Sequence, residues 1–200
     1  MKAKNILIIA GETSADIHGS DLVLTLKSMD DDLHFFGIGG KKLKEAGVEI
    51  IQDNNKMSIV GFVEVLKHYF FLKKIFKNII NYCELKKPIR AILIDYPGFN
   101  LRLAKELKKL NIPITYYISP QVWAWKENRV KIIKDCVDQM LCIFPFEENW
   151  FQQKGVKAKY VGHPFSQLEK ANKNSRLEFY KKHQIDPSAK ILALMPGSRQ

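Results

Sequence analysis

Several short strings in this chain set polar or aromatic side chains beside Gly or Pro, directly after an apolar run. Gly11-Glu12-Thr13-Ser14-Ala15-Asp16 is the first. Its small residues permit close backbone approach, and a helix starting there would offer free N–H groups to an anion. The plainer reading is that Ser14 or Asp16 simply caps that helix. Asp95-Tyr96-Pro97-Gly98-Phe99-Asn100 is the second. An aspartate at the end of Ala91-Ile92-Leu93-Ile94 can take a proton from a substrate hydroxyl, with Asn100 orienting it, or else it caps the next helix. In Ser119-Pro120-Gln121-Val122-Trp123-Ala124-Trp125, leading to Arg129, the flat rings suit sugar faces or acyl chains, or pack a domain interface. Phe144-Pro145-Phe146-Glu147 and Val161-Gly162-His163-Pro164 follow; a lone histidine such as His163 is more often structural than catalytic. No GxGxxG string occurs, so a dinucleotide fingerprint is not supported.

These strings need a scaffold that gathers them. Short apolar runs alternate with amphipathic segments, the α/β pattern of a parallel sheet flanked by helices. Strands are predicted at Asn5–Ala10, Leu33–Ile38, Val48–Ile51, Ala91–Asp95, Ile114–Ser119, Met140–Phe144, Ala158–Val161 and Lys190–Met195. Helices are predicted at Asp16–Ser28, Val60–Glu84, Leu101–Leu110, Asn128–Lys134, Glu147–Lys154 and Arg176–His183, with a further short helix between Gly39-Gly40 and Val48. Runs that are continuous rather than alternating fit strands buried on both faces. Ligands of such open sheets bind at the carboxyl ends of the strands, where the strings above fall. After His163-Pro164 the composition turns polar and charged, and the last apolar run meets Pro196-Gly197-Ser198-Arg199. A strand and turn with no helix to follow reads as a second domain cut short.

Lys+Arg number 32 against 21 Asp+Glu, a formal +11, which favours polyanionic partners. The excess is mostly lysine and no base-reading motif is recognisable, so nucleic acid is not the expected partner. Cys83, Cys136 and Cys142 form no CxxC pair, which argues against zinc or disulfides and for buried, reduced thiols in the cytosol. The amino-terminal apolar run is too short for a signal peptide, and no stretch approaches the roughly 18 uncharged residues of a spanning helix. Between Phe62 and Tyr82, one helical face holds Phe62, Val65, Leu66, Tyr69, Leu72, Phe76, Ile79 and Ile80. Phe70 and Phe71 fall outside it, near Lys67 and Lys74, where they would either enter an anionic leaflet or lie under a neighbouring loop.

Taken in order, these strings resemble the motifs of the lipid-A-disaccharide synthase family. They run from Gly-Glu-x-Ser at Gly11 to Ser14, through Gly37-Ile38-Gly39-Gly40, Val60-Gly61-Phe62-x-Glu64-Val65 and Asp95-x-Pro97-x-Phe99-Asn100. Ser119-Pro120-x-Val122-Trp123-Ala124-Trp125, Phe144-Pro145-Phe146-Glu147, Val161-Gly162-His163-Pro164 and Pro196-Gly197-Ser198-Arg199 complete the set. The resemblance implies an inverting glycosyltransferase of the GT-B build, with two Rossmann-like domains and neither metal nor cofactor. It implies transfer of 2,3-diacylglucosamine from UDP-2,3-diacylglucosamine to the 6-hydroxyl of 2,3-diacylglucosamine 1-phosphate, at the cytoplasmic face of the bacterial inner membrane.

Residues 1–165 would then be the acceptor-binding domain, 166–188 a linker with a helix, and 189–200 the opening of a truncated nucleotide-sugar domain. Asp95 and Asn100 would handle the acceptor hydroxyl. Glu12, Ser14, Asp16, Ser119, Trp123, Trp125, Arg129, Glu147 and His163 would surround the acceptor. Ser198 and Arg199 would meet the donor nucleotide, and Lys67, Phe70, Phe71 and Lys74 the anionic membrane surface. Two departures bear on this. Ala15 precedes Asp16 where many members have glycine, and Gly98 stands where many carry a second aspartate. If that second carboxylate is the base in those members, Asp95 is structural. Another UDP-sugar enzyme of the same build, such as an epimerase or a different lipid glycosyltransferase, is the alternative.

Overall fold

The computed structural model describes residues 4–57, 64–167, 173–186 and 188–195. The chain divides into two compact units, Met1–Pro164 and Phe165–Gln200. The first holds strands β1 (Lys4–Ala10), β2 (Leu33–Gly39), β3 (Glu49–Asp53), β4 (Arg90–Ile94), β5 (Ile114–Tyr117), β6 (Gln139–Cys142) and β7 (Ala158–Tyr160). They form one sheet in the order β3-β2-β1-β4-β5-β6-β7, with every adjacent pair parallel. Helices α1 (Thr13–Met29), α2 (Lys41–Glu45), α3 (Glu64–Lys86), α4 (Pro97–Lys109), α5 (Val130–Cys136) and α6 (Pro145–Gln153) connect the strands.

The unbroken apolar runs are explained by a core on each face. Successive strand residues point to opposite sides. Leu7 and Ile9 join Leu93, Ile114 and Tyr116 in one core, covered by Ile75 and Ile79 of α3 and Leu103 and Leu107 of α4. Ile6, Ile8 and Ala10 join Ile92 and Ile94 in the other, covered by Ala15 and Val23 of α1 and Leu43 of α2. Cys83, Cys136 and Cys142 are free and buried, and burial pushes the Cys83 and Cys142 thiols up to about 12, so neither is a nucleophile at neutral pH.

Two element boundaries differ from expectation in ways that matter for the site. Helix α1 starts at Thr13, three residues before Asp16, and α4 starts at Pro97 and so takes in Asn100. A proline in the first turn loses no hydrogen bond, because its N–H would have no partner there. In α3, Ile75, Ile79 and Cys83 are buried, and Leu72, Phe76 and Ile80 pack against the same core. Phe71 also packs against that core, half-buried, which corrects its expected place outside the apolar face. Lys74 is exposed. Residues 58–63 and the side chains of Lys67 and Phe70 lie outside the described residues, as do Ser198 and Arg199. No described helix is long and apolar enough to cross a membrane.

In the second unit, α7 (Lys173–Lys182) carries an Arg176 Nη2 bond to Tyr180 Oη at 3.0 Å, and Asp186 turns the chain by accepting from Ser188 N at 2.8 Å. Lys190–Met195 forms no strand, contrary to its apolar pattern. A strand exists only by pairing, and no described ladder reaches these exposed residues.

Asp16 ties the first unit together. It is buried, and its Oδ1 accepts from Gly40 N at 2.6 Å and Leu43 N at 3.2 Å, while Oδ2 accepts from Lys42 N at 2.9 Å. An aspartate on α1 thus supplies the cap that α2 lacks in its own sequence. Gly40 leaves the room: a Cβ there would lie 2.8 Å from Asp16 Oδ2. Asp16→Asn replaces an accepting oxygen by an NH2 group facing obligate donors. It is expected to cost about 2–3 kcal/mol, read as a lowered urea midpoint at unchanged m-value. A midpoint within error of the parent would refute this role.

Candidate active site

Strand β1 pairs with β2 on one side and β4 on the other, so the chain leaves β1 in opposite directions above and below it. The crevice outside that switch point is where open α/β sheets hold ligands. Gly11-Glu12 follows β1 and Asp95-Tyr96 follows β4, so both strings flank this crevice. A Cβ at Gly11 would meet Tyr96 Cδ1 at 2.6 Å, so the missing side chain is what lets the ring lie against the end of β1. Burial pushes the Tyr96 hydroxyl up from its ordinary value, and the Glu12 carboxylate adds to the shift.

The turn after β4 is strained and firmly held. Asp95 (φ 45°) and Tyr96 (φ 47°) are consecutive left-handed residues, each costing on the order of 1–3 kcal/mol. Asp95 N–H donates to Tyr117 O at 3.0 Å. Its carbonyl accepts from Asn100 Nδ2 at 2.7 Å and Tyr116 Oη at 2.5 Å. Asn100 is fully buried and also donates to Ile94 O at 3.2 Å. Asn100, expected beside Asp95 at the acceptor hydroxyl, thus uses its amide N–H groups to fasten the turn. Asp95 stays half-buried at the crevice. Burial holds the Tyr116 hydroxyl well above its ordinary range; the Asp95 carboxylate adds to this and Arg129 opposes it. Asp95 and Arg129 thus both act electrostatically on Tyr116. Of the other left-handed non-glycine residues, Lys87, Asn111 and Gln184 end helices, whereas Ile118 and Lys126 lie on this same carboxyl rim. A β-branched residue such as Ile118 at φ 62° is a genuine outlier.

Farther along the rim, Glu147 at the start of α6 is fully buried. It accepts from Ser119 Oγ at 2.7 Å, Trp123 Nε1 at 3.1 Å and Phe144 N at 3.2 Å. Glu147 and Asp16, both expected against the acceptor, are thus bonded within the protein, Asp16 to the amides of Gly40, Lys42 and Leu43. Ser119 is buried, Ser14 and Trp125 are exposed, and Glu12, Arg129 and His163 are half-buried. Lys126 Nζ sits 4.3 Å from the Trp125 ring centroid. His18, which the motif reading passed over, lies one helical turn after Ser14 and is influenced by His163 from the end of β7. Tyr96 and Tyr116 were also missed. Only Tyr96 carried a signal, as the residue before Pro97 in a string already marked.

A surface depression of about 720 Å³, lined by Arg90, Asp138, Gln139, Lys157 and Lys159 among others, lies at the opposite edge, where β4, β6 and β7 begin. The strained turns and paired ionisable groups described above are at the carboxyl rim, and we place the candidate site there. Among the described residues, no group of three His, Cys, Asp or Glu side chains is placed to hold a metal ion.

A family model described as lipid-A-disaccharide synthetase matches residues 6–200. The lipid-A-disaccharide synthase of Coxiella burnetii (strain Dugway 5J108-111) is 41% identical over 200 residues, covering 100% of this chain and 53% of that protein. The Myxococcus xanthus lipid-A-disaccharide synthase is 44% identical over 194 residues, covering 97% and 50%. The chain thus spans about half the length of the curated relatives it matches. Among solved structures, UDP-GlcNAc 2-epimerase from Neisseria meningitidis bound to UDP-GlcNAc superposes with TM-score 0.58 at 11% identity, covering 80% of this chain and 46% of that one. Acinetobacter baumannii MurG gives TM-score 0.52 at 12% identity, covering 86% and 47%. At these identities the structures support the Rossmann-like fold alone.

His18 provides a pH test of the rim's geometry. Burial lowers its imidazole from the ordinary 6.5, His163 lowers it further and Asp21 opposes. A depressed value in the folded state means the unfolded chain binds the proton first. The associated stability is complete above about 6.5 and is lost as pH falls through the folded value. His18→Gln is expected to flatten the fall in urea midpoint below pH 6.5. An unchanged slope would show that His18 titrates as a free imidazole.

Proposed function

The chain belongs to the lipid-A-disaccharide synthetase family, and from that premise we propose that it supplies the acceptor-side half of a glycosyltransferase. In this reading it takes part in transfer of 2,3-diacylglucosamine from UDP-2,3-diacylglucosamine to the 6-hydroxyl of 2,3-diacylglucosamine 1-phosphate. The products are the tetraacyl disaccharide 1-phosphate and UDP. The observation that carries this is the convergence of Glu12, Asp95 and Arg129 on the switch-point crevice, beside exposed tryptophans.

The chemistry is a single displacement. The Asp95 carboxylate takes the proton of the acceptor hydroxyl as that oxygen bonds to the anomeric carbon of the donor sugar. The bond from that carbon to UDP breaks, and the electron pair leaves with UDP. One displacement inverts the configuration and calls for no covalent enzyme intermediate or metal. The αL turn and the double grip on the Asp95 carbonyl limit where its carboxylate can swing, the preorganisation a general base requires. Arg129 suits the acceptor phosphate, and Glu12, Ser14 and His163 its sugar hydroxyls. Ser198 and Arg199 remain proposed for the UDP phosphates. The formal +11 charge favours an anionic membrane surface, with Lys67, Phe70 and Lys74 of α3 as the proposed contact. We place the protein at the cytoplasmic face of the inner membrane.

Two outcomes test this. The purified 200-residue chain is expected to bind the acceptor glycolipid yet give no turnover with both substrates; measurable turnover would refute the division of labour. In a chain extended to the relatives' full length, Asp95→Asn is expected to lower kcat by about 10²–10⁴-fold with KM little changed. Asparagine tolerates the left-handed backbone at least as well as aspartate, so the variant should fold. Full activity in it would move the base elsewhere, Glu12 first.

A further inference from the structure

Glu147 is fully buried, yet it joins two strand ends. Its Oε1 accepts from the Trp123 indole, and its Oε2 accepts from Phe144 N–H and from Ser119 Oγ. The serine hydroxyl can turn and either donate or accept. The indole and the backbone amide can only donate, and they sit on different oxygens. A glutamine could satisfy one of them and would turn its NH2 group on the other. The position therefore calls for a carboxylate, although it is fully buried.

The pinned indole stands at the head of a row of rings. Trp123, 36% exposed, meets Phe146 edge to face with centroids 5.0 Å apart. Phe146, 49% exposed, stacks on Phe144 at 6.0 Å, and Phe144 meets His163 at 5.5 Å. The row crosses the ends of β5, β6 and β7, beside exposed Val161. Left free, a tryptophan on a loop would lose rotamer entropy when it bound a ligand; one already held by its N–H has met that cost on folding.

We propose that Glu147 is a positioning residue that fixes Trp123 as the wall receiving an acyl chain of the acceptor. The row from Trp123 through Phe146 to Phe144 is apolar and ends at His163, which fits a hydrocarbon chain lying on Trp123 and Phe146 while His163 meets the polar sugar that carries it. This rests on the acceptor reading proposed above.

The test uses the 200-residue chain and 2,3-diacylglucosamine 1-phosphate in mixed micelles, with deacylated glucosamine 1-phosphate as control. In a Trp125→Phe, Trp150→Phe background, acrylamide quenching reports Trp123 alone. Glu147→Gln is expected to raise that quenching about twofold and to weaken glycolipid binding about tenfold, the equivalent of one good hydrogen bond. Binding of the deacylated control should not change between parent and variant. In a double-mutant cycle read by calorimetry, Glu147→Gln should add nothing once Trp123→Phe is present. Ser119→Ala, which leaves no obligate donor unpaired, should shift quenching and affinity the same way by less, and it serves if Glu147→Gln fails to fold. Unchanged quenching, or the same tenfold loss in the Trp123→Phe background, overturns the proposal. If the parent chain binds no glycolipid, the acceptor reading falls and takes the proposed wall with it. Quenching would in that case still judge the Glu147–Trp123 link separately.

Discussion

The parallel pairing of β1 with β2 on one side and β4 on the other is the constraint on which the rest of this structure depends. Because all seven strands run the same way, every strand-to-helix turn opens on one edge. Because the connections leave β1 in opposite directions, the turns after β1 and β4 part and leave a crevice. Residues as distant in sequence as Glu12 and Tyr96 then become electrostatic neighbours. The two-sided burial of β1 and β4 makes this arrangement stiff, since neither strand can slip without exposing a core on one face or the other.

On that rim, several of the polar residues that mark the motifs are hydrogen-bonded within the protein. Asp16 caps a helix that begins 25 residues later, at Lys41. Asn100 grips the carbonyl of a strained residue, and Glu147 gathers an indole, a hydroxyl and an amide from separate segments. Each is nearly or wholly buried and hydrogen-bonded on more than one side, so removing any one strands donors or acceptors away from water. The groups left facing the crevice are fewer: Glu12, Asp95, Arg129 and His163 are half-buried, with Trp123 and Trp125 outside them.

Much of the fold was legible in the residues. Continuous apolar runs identified seven of the strands, because burial on both faces leaves no polar alternation to confuse the reading. The eighth, Lys190–Met195, failed because apolar content states only that a segment could be buried, whereas a strand needs a partner. Helix starts were misplaced at α1 and α4, where Glu12 and Tyr96 stand at the N-cap and make no side-chain cap bond, so nothing local marked the first turn. The motif strings fall together at the carboxyl edge of the sheet, yet they could not tell a buried fastener from an exposed acid. Asp16, Asn100 and Glu147 look like ligand-binding residues in sequence because the residue types that bind substrates also tie down turns. Phe71 shows the same limit for apolar residues, since a helical wheel places a side chain on a face but does not say how far the core extends around it.

The account stands or falls on where the acceptor sits. Backbone amide shifts of the isotopically labelled 200-residue chain, titrated with 2,3-diacylglucosamine 1-phosphate in micelles, test this most directly. Perturbations should gather on Gly11–Ser14, Asp95–Phe99 and Ser119–Trp125, leaving Arg90, Asp138 and Lys157 at the opposite edge unmoved. Shifts concentrated around Arg90, Asp138 and Lys157 instead, with the switch-point crevice silent, would contradict it.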